Sequence, residues 1–266
     1  MGYQDIKRGN PLKKTKILAV INQKGGVGKS TTVVNLSAAL GESKKKVLVV
    51  DLDPQGNTSS GYGIEKEELE HDIYDALLDD YPSEKVITAT CEKRVFAMPA
   101  TIQLAGAEVE LVNISGRENC LKEVLEPVKE HFDYIFIDCP PSLGLLTINA
   151  LVAADELLIP IQCEFYALEG VTKLLESMRM VKSRMNPNLE IFGVLLTMYD
   201  GRTTLSKQVA EEVKKYFDKK VFKTVIPRNV KLSEAPSHGL PITKYAKMSK
   251  GGQAYLKLAK EVIRRG

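Results

Sequence analysis

The chain has 266 residues, 44% of them hydrophobic and 27% charged, which supplies a sizeable core and excludes a disordered or fibrous polypeptide. Its formal net charge of +3 conceals an asymmetry: residues 1–198 hold 21 Lys and Arg against 28 Asp and Glu, a net of −7, whereas residues 199–266 hold 16 against 6, a net of +10. A split of this kind points to a polyanionic partner or, equally, to a solvated basic face.

Residues 1–15 are polar and basic, carry Gly9 and Pro11 and lack apolar periodicity, so they read as a flexible tail before a single domain over 16–266. From Lys16 short apolar runs alternate with helical patterns. The expected strands are Ile17–Ile21, Val47–Leu52, Val95–Met98, Tyr134–Ile137, Leu157–Ile161, Ile191–Leu196 and Val221–Ile226. Such near-continuous apolar strands belong to a parallel sheet covered on both faces. Helical spacing of apolar residues predicts helices over Ser30–Leu40, Leu121–His131, Ala167–Met185, Leu205–Tyr216 and Gln253–Arg265. Repeated strand–helix–strand units imply right-handed crossovers, hence a doubly wound α/β fold with a mostly parallel sheet flanked by helices.

The first strand leads into Gln23, Lys24, Gly25, Gly26, Val27, Gly28, Lys29, Ser30 and Thr31, which open the first helix. That is the context of a phosphate-binding loop. Its glycines let consecutive N–H groups point at phosphate oxygens, and the helix N-terminus adds partial positive charge. Lys29 should reach the β and γ phosphates, Ser30 should ligate Mg²⁺, and Thr31 should bond near the α-phosphate. A chance match to this pattern is on the order of one in a thousand or less, which sets aside a plain glycine-rich turn. Where the ordinary pattern begins with Gly, this chain has Gln23 followed by a second lysine, Lys24; this is the deviant Walker A form, with an extra cation beside the phosphates.

The second strand ends in Asp51 and Asp53, where open α/β sheets place ligands; Asp51 also reads as a strand-end cap. The run Tyr134–Asp138 has the Walker B shape, an apolar strand closed by a carboxylate that can hold Mg²⁺ through water. Cys91, Cys120, Cys139 and Cys163 are widely spaced, form no Cys-x-x-Cys pair and follow no signal-peptide pattern, so they read as small buried hydrophobes in a reducing cytoplasm. The most apolar stretch, Leu143–Ile161, is interrupted by Asp155 and Glu156, which excludes a membrane span. Gln253–Arg265 places Tyr255, Leu256, Ala259, Val262 and Ile263 on one face and cations largely on the other. A helix packed on its own domain fits it better than a membrane-surface helix.

The stretches NQKGGVGKSTT, VDLDPQGN, ATIQLAGAE, DYIFIDCPPSLGLLTINAL, QCEFYALEG and VIPRNVKLSEAPSHG together resemble the ParA/MinD family of deviant Walker A ATPases, most closely its chromosomal ParA (Soj) branch, over nearly all of the chain except the tail. The resemblance implies ATP and Mg²⁺ as cofactors and slow hydrolysis. It implies that Lys24 reaches the partner's nucleotide in an ATP-dependent homodimer. Asp53 would be the switch I aspartate that helps position Mg²⁺ and the attacking water, and Cys139–Gly144 would be switch II. It places Pro227 and Asn229 at the adenine, although an ordinary strand-to-loop turn reads the same way without it. It assigns nonspecific DNA contact to Arg202 and, less firmly, to Lys231, which stands where relatives often carry Arg.

The implied partners are DNA and a ParB-type centromere-binding protein, in the cytoplasm and on the nucleoid, with no stable membrane association. Two alternatives share the nucleotide loop. One is a MinD-type membrane-cycling ATPase, which needs an exposed C-terminal anchor. The other is an iron–sulfur ATPase like nitrogenase iron protein, which needs loop cysteines to bridge a cluster.

Overall fold

A computed structural model describes residues 14–164 and 169–266. Seven strands form one sheet: β1 (Lys16–Val20), β2 (Val47–Asp51), β3 (Thr88–Ala89), β4 (Val95–Met98), β5 (Tyr134–Asp138), β6 (Glu156–Gln162) and β7 (Glu190–Thr197). Their spatial order is β3-β4-β2-β5-β1-β6-β7. All pairs are parallel except β3 with β4. The helices are α1 (Lys29–Glu42), α2 (Asn57–Gly61), α3 (Ile73–Leu78), α4 (Ser83–Val86), α5 (Leu104–Glu110), α6 (Cys120–Leu125), α7 (Leu145–Ala153), α8 (Glu169–Arg184), α9 (Thr204–Phe217), α10 (Val230–Glu234), α11 (Ile242–Tyr245) and α12 (Lys250–Arg265). The mostly parallel, doubly wound fold expected from the sequence is the one observed.

Period-2 alternation builds two cores from the same strands. Ala19, Leu48, Ile135, Ile137 and Leu157 face one side and pack with α3 and α5 to α9. Leu18, Val49, Phe136, Leu158 and Leu195 face the other, against α1 and α10 to α12. Because both faces are covered, the strands lack the polar alternation of a half-exposed sheet.

Three expectations need correction. Val221–Ile226 is not a continuous strand: the Phe222 and Ile226 N–H groups reach the Val194 and Leu196 carbonyls of β7, each at 2.9 Å, but the pairing amounts to isolated bridges at Val221 and Pro227. The N–H groups of Lys223 and Thr224 go instead to the two carboxylate oxygens of Glu261, at 2.8 and 2.9 Å, which takes them out of any ladder. The helix expected over Leu121–His131 stops at Leu125 and resumes as a 3-10 turn over Lys129–His131. Pro127 explains the break, since it lacks the N–H that would continue the helix ladder and its ring crowds the preceding turn. Cys91 is exposed rather than buried, and Cys120 is only partly buried.

Residues 1–13 of the expected tail lie outside the described residues, but Thr15 is already anchored, its hydroxyl 2.7 Å from the Lys129 carbonyl and 2.8 Å from that of Phe132. Ala167 and Leu168, the first two residues of the helix expected over Ala167–Met185, also lie outside them. Leu143–Ile161 divides into α7 and β6, and no helix among the described residues is long and apolar enough to cross a membrane.

Candidate nucleotide site

Parallel register brings three strand ends together. Val20 and Asp51 both lie opposite Asp138, so the loops after β1, β2 and β5 leave the sheet side by side at its carboxyl edge.

The loop after β1 is braced from two sides. Asn22 donates from Nδ2 to the Pro160 carbonyl at 2.7 Å, and its Oδ1 accepts the Lys24 N–H at 3.0 Å. This also accounts for a proline inside β6: β1 has ended at Val20, so a side chain rather than a ladder meets the strand there. On the far side Thr197, the last residue of β7, donates its hydroxyl to the Val27 carbonyl at 2.8 Å. Gly26 and Gly28 sit at φ 73° and 90°, backbone that a side chain would strain. A cavity of about 430 Å³ opens above this loop, lined in part by Gly25, Gly26, Lys29, Ser30, Thr31 and Asp53. Lys29 and Asp53 are each only 7% exposed. Val27 turns its side chain into the core, 1% exposed, so any part it plays at the cavity falls to its backbone.

The carboxylates divide their tasks. Asp51 accepts the N–H and the hydroxyl of Ser59, at 2.8 and 2.7 Å, and thereby fastens α2 to β2; it is the strand-end cap. Asp53 accepts the Gln55 N–H at 3.0 Å and faces the cavity. Asp138 is fully buried and accepts the Thr58 hydroxyl at 2.7 Å on Oδ2, while its Oδ1 has no hydrogen-bond partner among the described residues. Burial, joined by the negative charge of Asp138, pushes the Asp51 carboxyl up. Burial likewise pushes Asp138 up, against the Ser30 and Thr58 hydroxyls and the Lys29 ammonium.

Two buried carboxylates with an unpaired oxygen make an edge short of positive charge. That suits a divalent cation held by Ser30, Asp53 and Asp138. No cluster of three or more His, Cys, Asp or Glu among the described residues could hold a metal by itself, so phosphate oxygens and water would have to complete its shell.

A second cavity of about 440 Å³ adjoins the first, and Gly28 and Thr31 line both. Pro227, Asn229, Leu232 and Tyr255 are among its walls. The Asn229 side-chain oxygen accepts the Lys231 N–H at 2.9 Å as the cap of α10, so the amide's NH₂ end is what it can turn to a base. Tyr255 shares a 3.2 Å hydrogen bond with Thr32 on α1. Sequence reasoning had placed Tyr255 only on a packed helix face, and it missed the Thr197 brace altogether. Neither residue carries a local signal of these contacts.

Other predicted residues stand apart from both cavities. The Lys24 ammonium lies 3.7 Å from the Glu164 carboxylate, whose other oxygen takes Arg228 at 3.3 Å and the Gln162 amide at 2.6 Å. Arg202 grips Asp200 through Nε and Nη2, at 2.9 and 2.7 Å, and this contact holds the Asp200 carboxyl far below the usual range. Lys231 pairs with Glu234 at 2.8 Å and lies over the Tyr245 ring.

Cys139 and Cys163 are 0% and 3% exposed. Burial pushes the Cys139 thiol up, with help from Asp138, and pushes Cys163 up to about 12. Buried thiols of this kind are unsuited to bridging a cluster between subunits. The apolar face of α12, with Tyr255, Leu258, Ala259 and Val262, is buried within the second core; a membrane anchor would need that face free.

Residues 15–191 match a family model described as an AAA domain. The chain is 60% identical over 251 residues to the sporulation initiation inhibitor protein Soj of Bacillus subtilis (strain 168), covering 94% of this chain and 99% of that protein. It is 51% identical over 250 residues to the chromosome partitioning protein ParA of Myxococcus xanthus (strain DK1622), covering 94% and 88%. Its fold is similar to a crystal structure of cobyrinic acid a,c-diamide synthase from Mycobacterium smegmatis with bound ADP and magnesium. There the TM-score is 0.83 at 40% identity, covering 94% of each chain.

Proposed function

We propose that this chain, which belongs to the Soj/ParA family of chromosome-partitioning ATPases, couples ATP hydrolysis to reversible dimerisation on DNA and so drives the segregation of a chromosome or plasmid. It is a P-loop ATP hydrolase that uses ATP and magnesium. The observation that carries the reading is the meeting of buried Lys29, buried Asp53 and the unpartnered oxygen of Asp138 beside one glycine-lined loop. The 40% identical relative named as a diamide synthase shares the nucleotide and the metal. The 51% identical relative, named as a chromosome partitioning protein, favours partitioning as the task.

In this mechanism the N–H groups from Gly25 to Thr31 and the Lys29 ammonium bind and orient the phosphates. Ser30, Asp53 and Asp138 would hold the magnesium, which would supply positive charge to neutralise the phosphate oxygens. Asp53 orients the attacking water. Positioning and charge neutralisation suffice for phosphoryl transfer, and one weakly activated water gives the slow turnover of a timer. Pro227 and Asn229 hold the adenine. Lys24 leaves Glu164 and reaches the nucleotide of a second copy, which makes association depend on ATP.

Arg202 and Lys231 lie in the basic quarter of the chain, where contact with phosphate backbones is sequence-independent and salt-sensitive. Dimerisation doubles those contacts, so ATP controls DNA affinity. A ParB-type partner stimulates hydrolysis and resets the cycle, which runs in the cytoplasm on the nucleoid, without stable membrane attachment. The test is binding to an arbitrary DNA duplex with ATP, ADP or no nucleotide, at low and high salt. ATP-dependent, salt-sensitive binding that is lost in Arg202→Glu supports the proposal; no binding with any nucleotide sinks it.

A further inference from the structure

Residues 65–118 carry 13 Asp and Glu against 5 Lys and Arg, a net of −8, in a chain whose overall charge is positive. Within this stretch, α5 and its flanking turns bury Leu104, Ala107 and Leu111 and turn an apolar ridge outward: Ile102 is 68% exposed, Val109 71% and Val112 52%. Val109 stands on α5 itself, and Ile102 and Val112 stand in the turns that flank it. Beside the ridge a cleft of about 510 Å³ is lined by Glu67, Glu70, Asp72, Asp75 and Ile102 among others. Branched aliphatics exposed in a row and rimmed by charge mark an interaction surface.

The ridge is joined to both loops of the nucleotide site. On α5, Glu108 accepts the N–H groups of Leu145 and Leu146, at 2.7 and 3.3 Å. It thus caps α7, the helix that leaves the Cys139–Gly144 loop. A Cβ at Gly144 would have to displace the Glu108 carboxylate, so a side chain there would loosen this cap. Across the cleft Lys66 donates to the Gln55 carbonyl at 2.8 Å, two residues after Asp53. Asp72 accepts the Thr101 N–H at 2.9 Å, and the Ala100 N–H reaches Ser59, the residue that Asp51 holds, at 3.0 Å.

We propose that the outer face of α5 and the acidic cleft form the docking surface for a basic, amphipathic segment of a protein partner. Its occupancy is transmitted through Glu108 and Lys66 to the residues around the γ-phosphate position. The proposal deepens the partner-stimulated cycle above and rests on that reading for the effect on hydrolysis. The segment's apolar side chains cover Ile102, Val109 and Val112, and its cations face Glu67 and Glu70. DNA is a poor occupant because both are anionic, and the same surface of a second copy would repel for the same reason.

Two measurements on the full chain test this. In the first, a fluorescent 20-residue helical peptide with a leucine face and a lysine face is titrated against wild type, Val109→Asp and the pair Glu67→Lys with Glu70→Lys. Arg202→Glu serves as a control, and melting temperatures confirm folding. Affinity should fall at least ~10-fold in the ridge and cleft variants, as for loss of an interface anchor, and hold within about twofold in the control. A peptide with the leucines replaced by serine should bind more weakly. Equal binding to wild type and both surface variants overturns the proposal.

In the second, a ParB-type protein from the same genome is added with ATP and DNA. Stimulation in wild type that is lost in both surface variants, with basal hydrolysis and ATP-dependent dimerisation kept, supports it. Loss of dimerisation in the variants assigns the surface to a second copy and overturns it. If wild type is not stimulated while the peptide result holds, the partner reading fails and the docking surface stands.

Discussion

Lys29 and Arg202 carry the same charge in opposite circumstances. Lys29 is 7% exposed and belongs to a loop fixed by glycine backbone, by a hydrogen bond to Asn22 and by one from Thr197. The Arg202 side chain is 90% exposed and, among the described residues, is held by its neighbour Asp200 alone. At the first site the main chain sets where the charge stands. At the second, how much charge is available depends on competition with a carboxylate and with salt. Chemistry at the carboxyl edge of the sheet is therefore built into the fold, whereas recognition on the basic quarter is a balance that small changes can tip.

The sharpest break in this comparison comes from the buried side. Lys29→Ala should abolish productive ATP binding and lower hydrolysis by ~10²–10³, the scale of losing one preorganised charge donor. Asp53→Ala should slow hydrolysis comparably, by ~10² or more, yet retain ATP and trap the dimer. Equilibrium binding of labelled ATP and single-turnover hydrolysis separate the two. If Lys29→Ala still bound and turned over ATP within tenfold of wild type, the built-in character of this end would be wrong.

The next effect concerns the joint between the regions. Glu261 on α12 accepts two consecutive N–H groups and pairs with Arg265 at 3.0 Å. Glu261→Gln keeps one acceptor and should cost ~1–3 kcal/mol, as for a buried donor left unpaired. Burial, the largest influence, pushes the Glu261 carboxyl up, but the Lys223 and Thr224 donors and Arg265 bring it below its ordinary 4.5. A depressed carboxyl contributes stability that is present above 4.5 and is lost as pH falls through the folded value. Wild type should therefore lose melting temperature more steeply than Glu261→Gln below about pH 4.5. Parallel curves would show that Glu261 contributes nothing through its charge.

The same contrast explains what could be read from the sequence. Lys29, Ser30, Asp53 and Asp138 were legible because each ends or follows a strand that register alone places at one edge, so spacing along the chain is enough. The Val221–Ile226 run was misread because its central N–H groups, those of Lys223 and Thr224, are claimed by Glu261, 38 and 37 residues away, and β propensity cannot see a distant carboxylate. The break at Pro127 was legible in principle, since the proline stands in the sequence. Nothing local shows that Glu164 holds Lys24, that Asp200 holds Arg202 or that Glu108 caps α7. These are side-chain pairings set by tertiary packing.

A smaller effect lies between the two extremes. Lys24 shares the deviant loop with Lys29 but is tethered like a surface cation, 3.7 Å from Glu164 with both side chains about 40% exposed. An exposed pair is worth at most ~1 kcal/mol and a dimer releases two of them, so Glu164→Gln should strengthen ATP-dependent dimerisation by no more than ~30-fold, about 5-fold per copy. Sedimentation velocity across a concentration series with ATP reads this directly. A weaker dimer would mean that Glu164 supports the interface rather than competing for Lys24.

The finest test asks whether Arg202 acts as a contact or as part of a field. Its guanidinium and the Asp200 carboxylate form a nearly neutral unit at pH 7, because the contact keeps Asp200 ionised far below its ordinary value. A phosphate must displace Asp200 or share the guanidinium with it. If Arg202 makes one backbone contact, Arg202→Ala should reduce the slope of log affinity against log salt by ~0.9 per chain, and Asp200→Asn should raise affinity by freeing the fork. If Arg202→Ala leaves the slope unchanged while Asp200→Asn still tightens binding, Arg202 touches no phosphate and Asp200 acts only as local repulsion. The contacts would then have to come from other cations among the 16 Lys and Arg of residues 199–266.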